Sequence, residues 1–458
     1  MKYSRSAVHR KTHKIPVIRF ADQRLTSFAG LVVFQQLFAQ LGLKERLRTC
    51  FEHLRLSPIF GHHLIVLLLV VHLLVGSREL RDCRYYRDDP LVKRLLGLGR
   101  LPDVATVSRT LASADARSVA KLRQLCRDLV CERLRTLGPR RVTLDFDGSV
   151  QSTGRWAEGT AVGFNKQKKG ARSYYPLFCT VAQTGQVFDL LHRAGNVHDS
   201  NGAQAFIEHC IAHLRAVLPG VVIEARLDSA FFSDAIVTSL QAHGIAFTIS
   251  VPFERFVALK GLIEARHRWR RFNDTLASFE TAWKPKSWDA RYRFLFIRQV
   301  VSRQQKGPVQ LDLFIPHHLG YDFKVIVTNK PGRMQKVLAF HNGRGTQEGI
   351  FAELKSQCQM DYVPVRTLVG NRLYILAALL AHNLTRELQM AAAPPQRPTT
   401  EKRTPLWIFQ ELHTIRRTLI QRAGRLTRPR GQLTLTMSAN AAVRDQLLHY
   451  LAAPRRAA

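Results

Sequence analysis

The stretch RRVTLDFDGS at residues 140–149 decides the fold, because the apolar pattern changes here from a helical period to the alternation of a strand. Residues 174–182 and 186–191 repeat that alternation, and Thr184-Gly185 between them is a turn sequence. Three strands in succession, joined by short turns, predict an antiparallel meander. The first of them ends at Asp147-Gly148-Ser149, where glycine permits a tight turn.

Downstream of the meander, helical and strand patterns alternate. Residues 200–217 and 233–243 have helical periodicity, while residues 221–227 and 246–251 are short apolar runs typical of buried strands. This order predicts an α/β core with an antiparallel beginning and a βαβ end.

The core pattern is then interrupted by strand-like runs at residues 292–301, 309–315 and 322–327, which predict a β-rich insertion. Helical periodicity returns from residue 333. The predicted fold class is therefore a mixed α/β sheet with helices, interrupted by the insertion and flanked by helical regions at both ends. The predicted boundaries are 1–135 for the N-terminal region, 136–251 and 333–391 for the two parts of the core, 252–332 for the insertion, and 392–458 for a basic, helical C-terminal region.

The charge of the chain predicts a polyanionic partner. Lysine and arginine exceed aspartate and glutamate by 35, and nucleic acid is the leading candidate because phosphate contacts need many cations. A membrane surface is the rival, but the apolar run at residues 64–75 is shorter than the roughly 20 residues needed to span a bilayer. We expect a buried helix there. No signal peptide is evident, so we expect a cytoplasmic protein whose seven cysteines are reduced packing residues.

Carboxylates follow two of the predicted core strands. Asp147 ends the first strand, and Asp228 follows the strand at residues 221–227. Two divalent cations about 3.5–4 Å apart require several anionic oxygens, and strand ends supply them from different elements. Asp145 competes with Asp147 for this role, because it lies two residues away on the same face. The alternative for each aspartate is a turn or helix cap.

A third acidic residue lies in the segment at residues 341–355, read as helical. At roughly 100° per residue, His341, Arg344, Glu348 and Lys355 fall within about 60° of one another, while Ile350 and Leu354 lie on the opposite side. Arg344 and Lys355 flank Glu348, an arrangement suited to holding DNA phosphates beside a metal site. The alternative is an amphipathic surface helix with charge pairs.

The spacing His341-x2-Arg344-x3-Glu348-x6-Lys355 resembles the Tyr-x2-Arg-x3-Glu-x6-Lys signature of bacterial insertion-sequence transposases with an Asp-Asp-Glu triad and an RNase H-like core. His341 stands where those proteins usually have tyrosine. The order of Asp147-Gly-Ser, Asp228-Ser, a strand-rich insertion and the signature helix is similar to the family's layout over residues 140–390.

This resemblance implies a function and a mechanism. Asp147, Asp228 and Glu348 would be the catalytic residues and would hold two Mg²⁺ or Mn²⁺ ions per site. The substrates would be double-stranded DNA, as terminal inverted repeats and target, acted on by a homodimer in the bacterial nucleoid. Hydrolysis would be followed by strand transfer, with or without a hairpin intermediate. The alternatives are an RNase H-like metal-dependent nuclease without strand transfer and a DNA-binding protein without catalysis.

Further DNA contacts are predicted from basic segments. Lys168, Lys169 and Arg172 lie in a loop before a core strand, where they could grip backbone phosphates or simply be solvated. Arg109 lies on a helix that begins after Pro102-Asp103, which could enter a major groove or be an ordinary capped helix. Trp283 and Trp288 resemble base-stacking tryptophans of the family, but core packing is the favoured interpretation for both.

Overall fold

The helical and strand patterns recur in a computed structural model, which describes residues 15, 17–21, 24–54, 59–163, 165, 168–197, 201–301, 320–398 and 400–453. The strand predicted at residues 309–315 lies outside the described residues. The helices are α1 Leu31–Gln40, α2 Leu43–Phe51, α3 His62–Leu74, α4 Pro90–Leu96, α5 Val104–Ala112, α6 Ala116–Leu137, α7 Ala203–Val217, α8 Asp234–Ala242, α9 Val257–Glu264, α10 Met334–Asn342, α11 Gly345–Ser356, α12 Leu368–Ala392, α13 Leu412–Ile415 and α14 Ala441–Leu451.

The strands form one large sheet and two small ones. They are β1 Leu25–Thr26, β2 Arg141–Gly148, β3 Gln151–Thr153, β4 Ala161–Val162, β5 Arg172–Tyr174, β6 Leu177–Val181, β7 Gln186–Leu191, β8 Val222–Leu227, β9 Ala246–Val251, β10 Arg270–Arg271, β11 Leu276–Trp283, β12 Tyr292–Val300, β13 Tyr321–Thr328, β14 Gly424–Thr427 and β15 Thr434–Met437. The large sheet has the order β10-β11-β12-β13-β9-β8-β2-β6-β7.

The centre of the large sheet has the predicted mixed topology. Strand β2 pairs antiparallel with β6, and β6 pairs antiparallel with β7. On its other side β2 pairs parallel with β8, which in turn pairs parallel with β9. Three antiparallel strands followed by two parallel strands on the opposite edge of the first is the RNase H-like arrangement, so the predicted α/β class is confirmed.

The predicted β-rich insertion does not form a sheet of its own. Strand β13 pairs antiparallel with β9, and β12 and β11 continue from it, so the insertion widens the core sheet. Phe294 and Phe296 on β12 are fully buried in the same apolar core as Phe146 on β2. Strand periodicity shows which residues are buried but not which strands pair, so it did not reveal that β13 pairs with β9.

The strand predicted at residues 174–182 is divided in two by Pro176. Tyr174 ends β5, which belongs to a small sheet with the order β3-β5-β4, whereas β6 begins at Leu177 in the large sheet. Proline has no N–H to donate to a strand ladder, so the chain changes sheets at this residue.

Two buried helices organise the helical region. The apolar run at residues 64–75 falls almost entirely in α3, and the residues of α3 from Ile65 onward are buried as predicted. Helix α3 shares one core with the long helix α12. Among the described residues no helix combines the length and apolarity needed to cross a bilayer. All seven cysteines are described, and they are buried without disulfides, which confirms the prediction of packing residues.

The C-terminal region is only partly helical. Strands β14 and β15 form a hairpin, and β14 also pairs with β1 from the other end of the chain. The alternating sequences Arg425-Leu-Thr427 and Thr434-Leu-Thr436 explain the hairpin, because they place one apolar residue between polar neighbours. The arginine-rich composition of this segment concealed that short alternation.

Candidate active site

Asp147 and Asp228 lie at the ends of neighbouring parallel strands. Phe146 on β2 pairs with Leu227 on β8, and each aspartate follows its member of that pair by one residue. Parallel strands end at the same edge of a sheet, so the topology brings the two carboxylates together. Asp228 Oδ1 also accepts a hydrogen bond of 3.0 Å from the N–H of Ala230, which fixes the start of the following turn.

The Asp147 carboxylate is mostly buried and has two donors. The N–H of Gly148 donates to Oδ1 at 2.8 Å, and Arg344 Nη1 donates to Oδ2 at 2.9 Å. Burial and the neighbouring charge of Asp228 raise the pKa of Asp147 to about 7, although Arg344 acts in the opposite direction. Asp147 is thus a largely desolvated carboxylate in the field of a second acid, and the opposing charge of Arg344 does not cancel these two effects.

Asp145, the competing candidate, has a different environment. Its two oxygens accept from Arg226 Nε at 2.5 Å and Nη2 at 2.7 Å, and both side chains are almost fully buried. Arg226 also donates to the carbonyl oxygens of Phe340 and Lys402. Both oxygens of Asp145 are occupied by Arg226, and the pair holds neighbouring elements together. Asp145 is therefore less available to a ligand than Asp147, so the geometry favours Asp147 as the site residue.

Helix α11 carries Glu348 in its first turn. The helix is attached to the core by Phe351, whose ring lies 5.1 Å from that of Phe178, and by Gln347, whose Nε2 donates to the carbonyl oxygen of Asp145 at 3.0 Å. Gln347 is fully buried while Glu348 is exposed. The hydrogen bond from Gln347 to β2 fixes the position of the helix one residue before Glu348.

The predicted outward placement of His341 is wrong. The helix that was expected to carry all four signature residues is interrupted after Asn342, and His341 belongs to α10 rather than to α11. His341 is 1% exposed, and its ring nitrogens lie 3.0 Å from Thr248 Oγ1 and 2.9 Å from Ser250 Oγ. Burial holds its pKa well below the ordinary value. In this position the ring joins α10 to β9 and is not exposed at the surface, and its predicted contact with DNA stays a prediction.

Two lysines accompany the acidic residues. Burial lowers the pKa of Lys355, and the charges of Asp361 and Asp147 oppose that shift, which places Lys355 in the field of the site. Burial also lowers the pKa of Lys324, on β13, to about 8, with Arg344 acting in the same direction and Glu348 against it. No local motif marks Lys324, because only the sheet register of the insertion brings it here.

The carboxylates suit a hard divalent cation in part. Asp147 and Asp228 present carboxylate oxygens at adjacent strand ends, and such oxygens are the ligands that Mg²⁺ and Mn²⁺ prefer. Among the described residues, however, no three acidic, histidine or cysteine side chains are grouped closely enough to share one ion. The structure therefore brings two of the three predicted ligands together and leaves Glu348 apart, with Arg344 bound to Asp147.

The other predicted DNA contacts are spread over the surface. Lys168 and Lys169 are exposed at the turn before β5. Arg172 instead donates to Thr160, with Nε 3.0 Å from Oγ1, and so joins its strand to the preceding loop. Arg109 is exposed on α5, whose N-cap is Asp103 as predicted. Its contact with DNA stays a prediction.

Trp288 packs in the core and the partly buried Trp283 packs against it, as the favoured interpretation predicted. The Trp288 ring lies 4.8 Å from that of Phe232, and the Trp283 ring meets Phe294 edge-on at 5.0 Å. Trp288 is only 6% exposed. These contacts account for both residues without a nucleic acid.

Comparison with known proteins gives one family match. A family model described as transposase DDE domain group 1 matches residues 8–458. Curated proteins give no significant match. The chain is similar to a solved piggyBac transposase synaptic complex with hairpin DNA, with 11% identity, 86% of this chain and 80% of that chain covered, and a TM-score of 0.40. It is also similar to a Mos1 mariner paired end complex with Mn, with 11% identity, 36% and 56% covered, and a TM-score of 0.18. These TM-scores support no functional conclusion.

Proposed function

This chain belongs to the transposase DDE domain family, group 1, and on that basis we propose that it cleaves DNA at the ends of an insertion sequence and joins those ends to target DNA. The protein is a DDE transposase. The observation that carries the proposal is the coupled pair of carboxylates, Asp147 and Asp228, at adjacent strand ends beside the helix of Glu348.

In the proposed reaction, water attacks a phosphodiester at the element's terminal inverted repeat and a 3′-hydroxyl is released. That hydroxyl then attacks a phosphodiester of the target, so one bond forms as another breaks. Asp147, Asp228 and Glu348 would hold two Mg²⁺ or Mn²⁺ ions. Bound there, the cations would supply the positive charge that activates the attacking oxygen and stabilises the leaving oxygen.

The basic residues of the site would hold the DNA backbone. Arg344 presents a planar guanidinium with several donors, which suits bidentate binding of a phosphate. Its present partner is Asp147, so DNA and cations arriving together would exchange that salt bridge for a phosphate contact and free the carboxylate. Lys355, in the field of Asp147, would add a point charge.

The proposal is tested on a supercoiled plasmid that carries the element's ends, with Mg²⁺ or Mn²⁺. Mutating a residue that only hydrogen-bonds to a metal ligand lowers activity by about 10- to 100-fold. We expect Glu348→Gln and Asp228→Asn, which change the ligands themselves, to lower the cleavage rate by more than that. Glu52→Gln is the matched control, because Glu52 is an exposed acid paired with Lys121 on the surface. Native activity in Glu348→Gln would contradict the assignment.

A joining assay separates the proposed function from that of a nuclease. Pre-cleaved ends supply the 3′-hydroxyl, and strand transfer would produce labelled ends covalently joined to target DNA. Products of hydrolysis without joined DNA would favour the RNase H-like nuclease. The proposed homodimer is measured in the same preparation by sedimentation with and without paired element ends, where two chains per pair of ends are expected.

A further inference from the structure

A groove of about 900 Å³ opens beside the candidate active site. Its walls come from the loop after β3, the segment between α11 and α12, and the turn before β5. Lys355 lines the groove and also lies in the field of Asp147. The groove therefore shares helix α11 with Glu348, because Lys355 and Glu348 lie on that helix.

The loop after β3 is held firmly against the opposite wall. Gln151 Nε2 donates to the carbonyl oxygens of Met360 at 2.8 Å and Tyr362 at 3.1 Å. At the other end of the loop, the N–H of Glu158 donates to the carbonyl oxygen of Arg366 at 2.8 Å. With both ends attached, the side chains between them are presented in a fixed place.

Trp156 lies on this loop and faces the groove. It is 60% exposed, whereas Trp288 and Trp407 are 6% and 3% exposed, and of the five tryptophans, all of them in described parts of the chain, only Trp156 is exposed. Burying an aromatic side chain is favourable, and the ring of Trp156 stays in contact with water on an anchored loop without that gain. A ligand with a flat, apolar face would recover it.

The charges that line the groove are predominantly positive. Arg155, Lys168 and Arg366 are exposed there, and none of them forms an ion pair with another residue in the described parts of the chain. The groove's acids are already paired, since Asp361 binds Arg78 at 3.0 Å and Glu79 binds Arg81 at 2.6 Å. The groove thus combines an aromatic platform with several cations.

We propose that this groove binds an unpaired segment of a DNA strand, with one base stacked on Trp156 and the flanking phosphates held by Arg155, Lys168 and Arg366. Paired bases are stacked within the duplex and do not offer their faces, whereas every unpaired base does, so aromatic side chains in a basic groove are typical of single-strand binding. The inference rests on the proposed function, because it gives the DNA substrate of that function a second binding groove on the helix that carries Glu348.

The test measures binding of a fluorescein-labelled 12-nucleotide oligothymidine to the full-length protein in EDTA by fluorescence anisotropy. Stacking on one aromatic side chain predicts that Trp156→Ala raises the dissociation constant about 5- to 150-fold, whereas Trp156→Phe stays close to the native value. Tyr85→Ala is the matched control, because Tyr85 is 75% exposed and lies outside the groove. A blunt duplex with the same label should bind Trp156→Ala within about twofold of native.

Several outcomes overturn the proposal: equal binding of the oligonucleotide by native protein and Trp156→Ala, equal losses for duplex and oligonucleotide, or no binding of the oligonucleotide by native protein. Glu348→Gln separates this proposal from the catalytic one, since it should bind the oligonucleotide normally. If Glu348→Gln also cleaves normally, the catalytic assignment fails and the groove is unaffected. If Trp156→Ala binds the oligonucleotide normally, the proposal that the groove binds an unpaired strand is wrong, whatever the cleavage result.

Discussion

At the scale of single residues, Asp145 and Asp147 have the same side chain on the same strand face but different partners. Asp145 is closed by Arg226, while Asp147 meets Asp228 and Arg344. We expect Asp145→Asn to lower the free energy of unfolding by about 3–5 kcal/mol, because it leaves the buried Arg226 charge without a counter-ion. Asp147→Asn should abolish cleavage and keep the fold. Urea unfolding and plasmid cleavage, measured on both variants, check this; a stable but inactive Asp145→Asn would reverse the two roles.

The raised pKa of Asp147 predicts a pH dependence of stability in the metal-free protein. Burial and Asp228 raise this pKa from 3.8 to about 7, so the folded state binds the proton more tightly than the unfolded state does. The contribution to stability is full below the unfolded pKa and is lost as the pH rises through about 7. Between pH 5 and 8, native protein in EDTA should lose more unfolding free energy than Asp147→Asn, by up to about 1.4 kcal/mol per pH unit. Parallel pH profiles for the two proteins would contradict the shift.

At the scale of elements, the chain between α10 and α11 packs so closely at Gly343 that the position requires glycine. A Cβ added there would lie 1.9 Å from the Lys402 carbonyl oxygen and 2.1 Å from Arg226 Nη1, although the backbone conformation itself is ordinary. We expect Gly343→Ala to lower the free energy of unfolding by about 1–3 kcal/mol.

Gly349→Ala is the matched control for this substitution, because Gly349 lies in α11 with nothing within 4 Å of an added Cβ. Alanine there should raise the free energy of unfolding by about 0.5–1 kcal/mol. Thermal and urea unfolding of the two variants give the comparison. Equal effects from both glycines would show that space at Gly343 is not what requires the residue.

Some of these elements could be predicted from the sequence and others could not. The strands carrying Asp147 and Asp228 and the family resemblance were predictable, because apolar periodicity and residue spacing are local properties, and the family match confirms the resemblance. The close packing at Gly343, just after the end of α10, was not, because the Arg226 and Lys402 atoms that it meets come from distant parts of the chain. The same holds for Lys324, which reaches the site through the strand register. The roles of the three acids stay predictions.

At the scale of the whole molecule, the net charge of +35 predicts steep salt dependence of DNA binding. Each phosphate neutralised in duplex DNA contributes about −0.9 to the slope of log affinity against log salt concentration. With about six or more such contacts, affinity should fall by about 10³ or more between 50 and 200 mM salt, and similarly for DNA without element ends. Anisotropy titrations at several salt concentrations measure the slope. A slope corresponding to about two phosphates would contradict a broad basic interface.

The pairing of β1 with β14 has a consequence for how the protein is made. Leu25 and Thr26 pair with Arg425 and Gly424, so β1 cannot pair until β14, about 400 residues later in the chain, has been synthesised. At about 5–20 residues per second, the partner strand leaves the ribosome roughly 20–80 s after the first has emerged. A product terminated before residue 424 lacks the partner of β1, so this small sheet can close only after residue 425 has been translated.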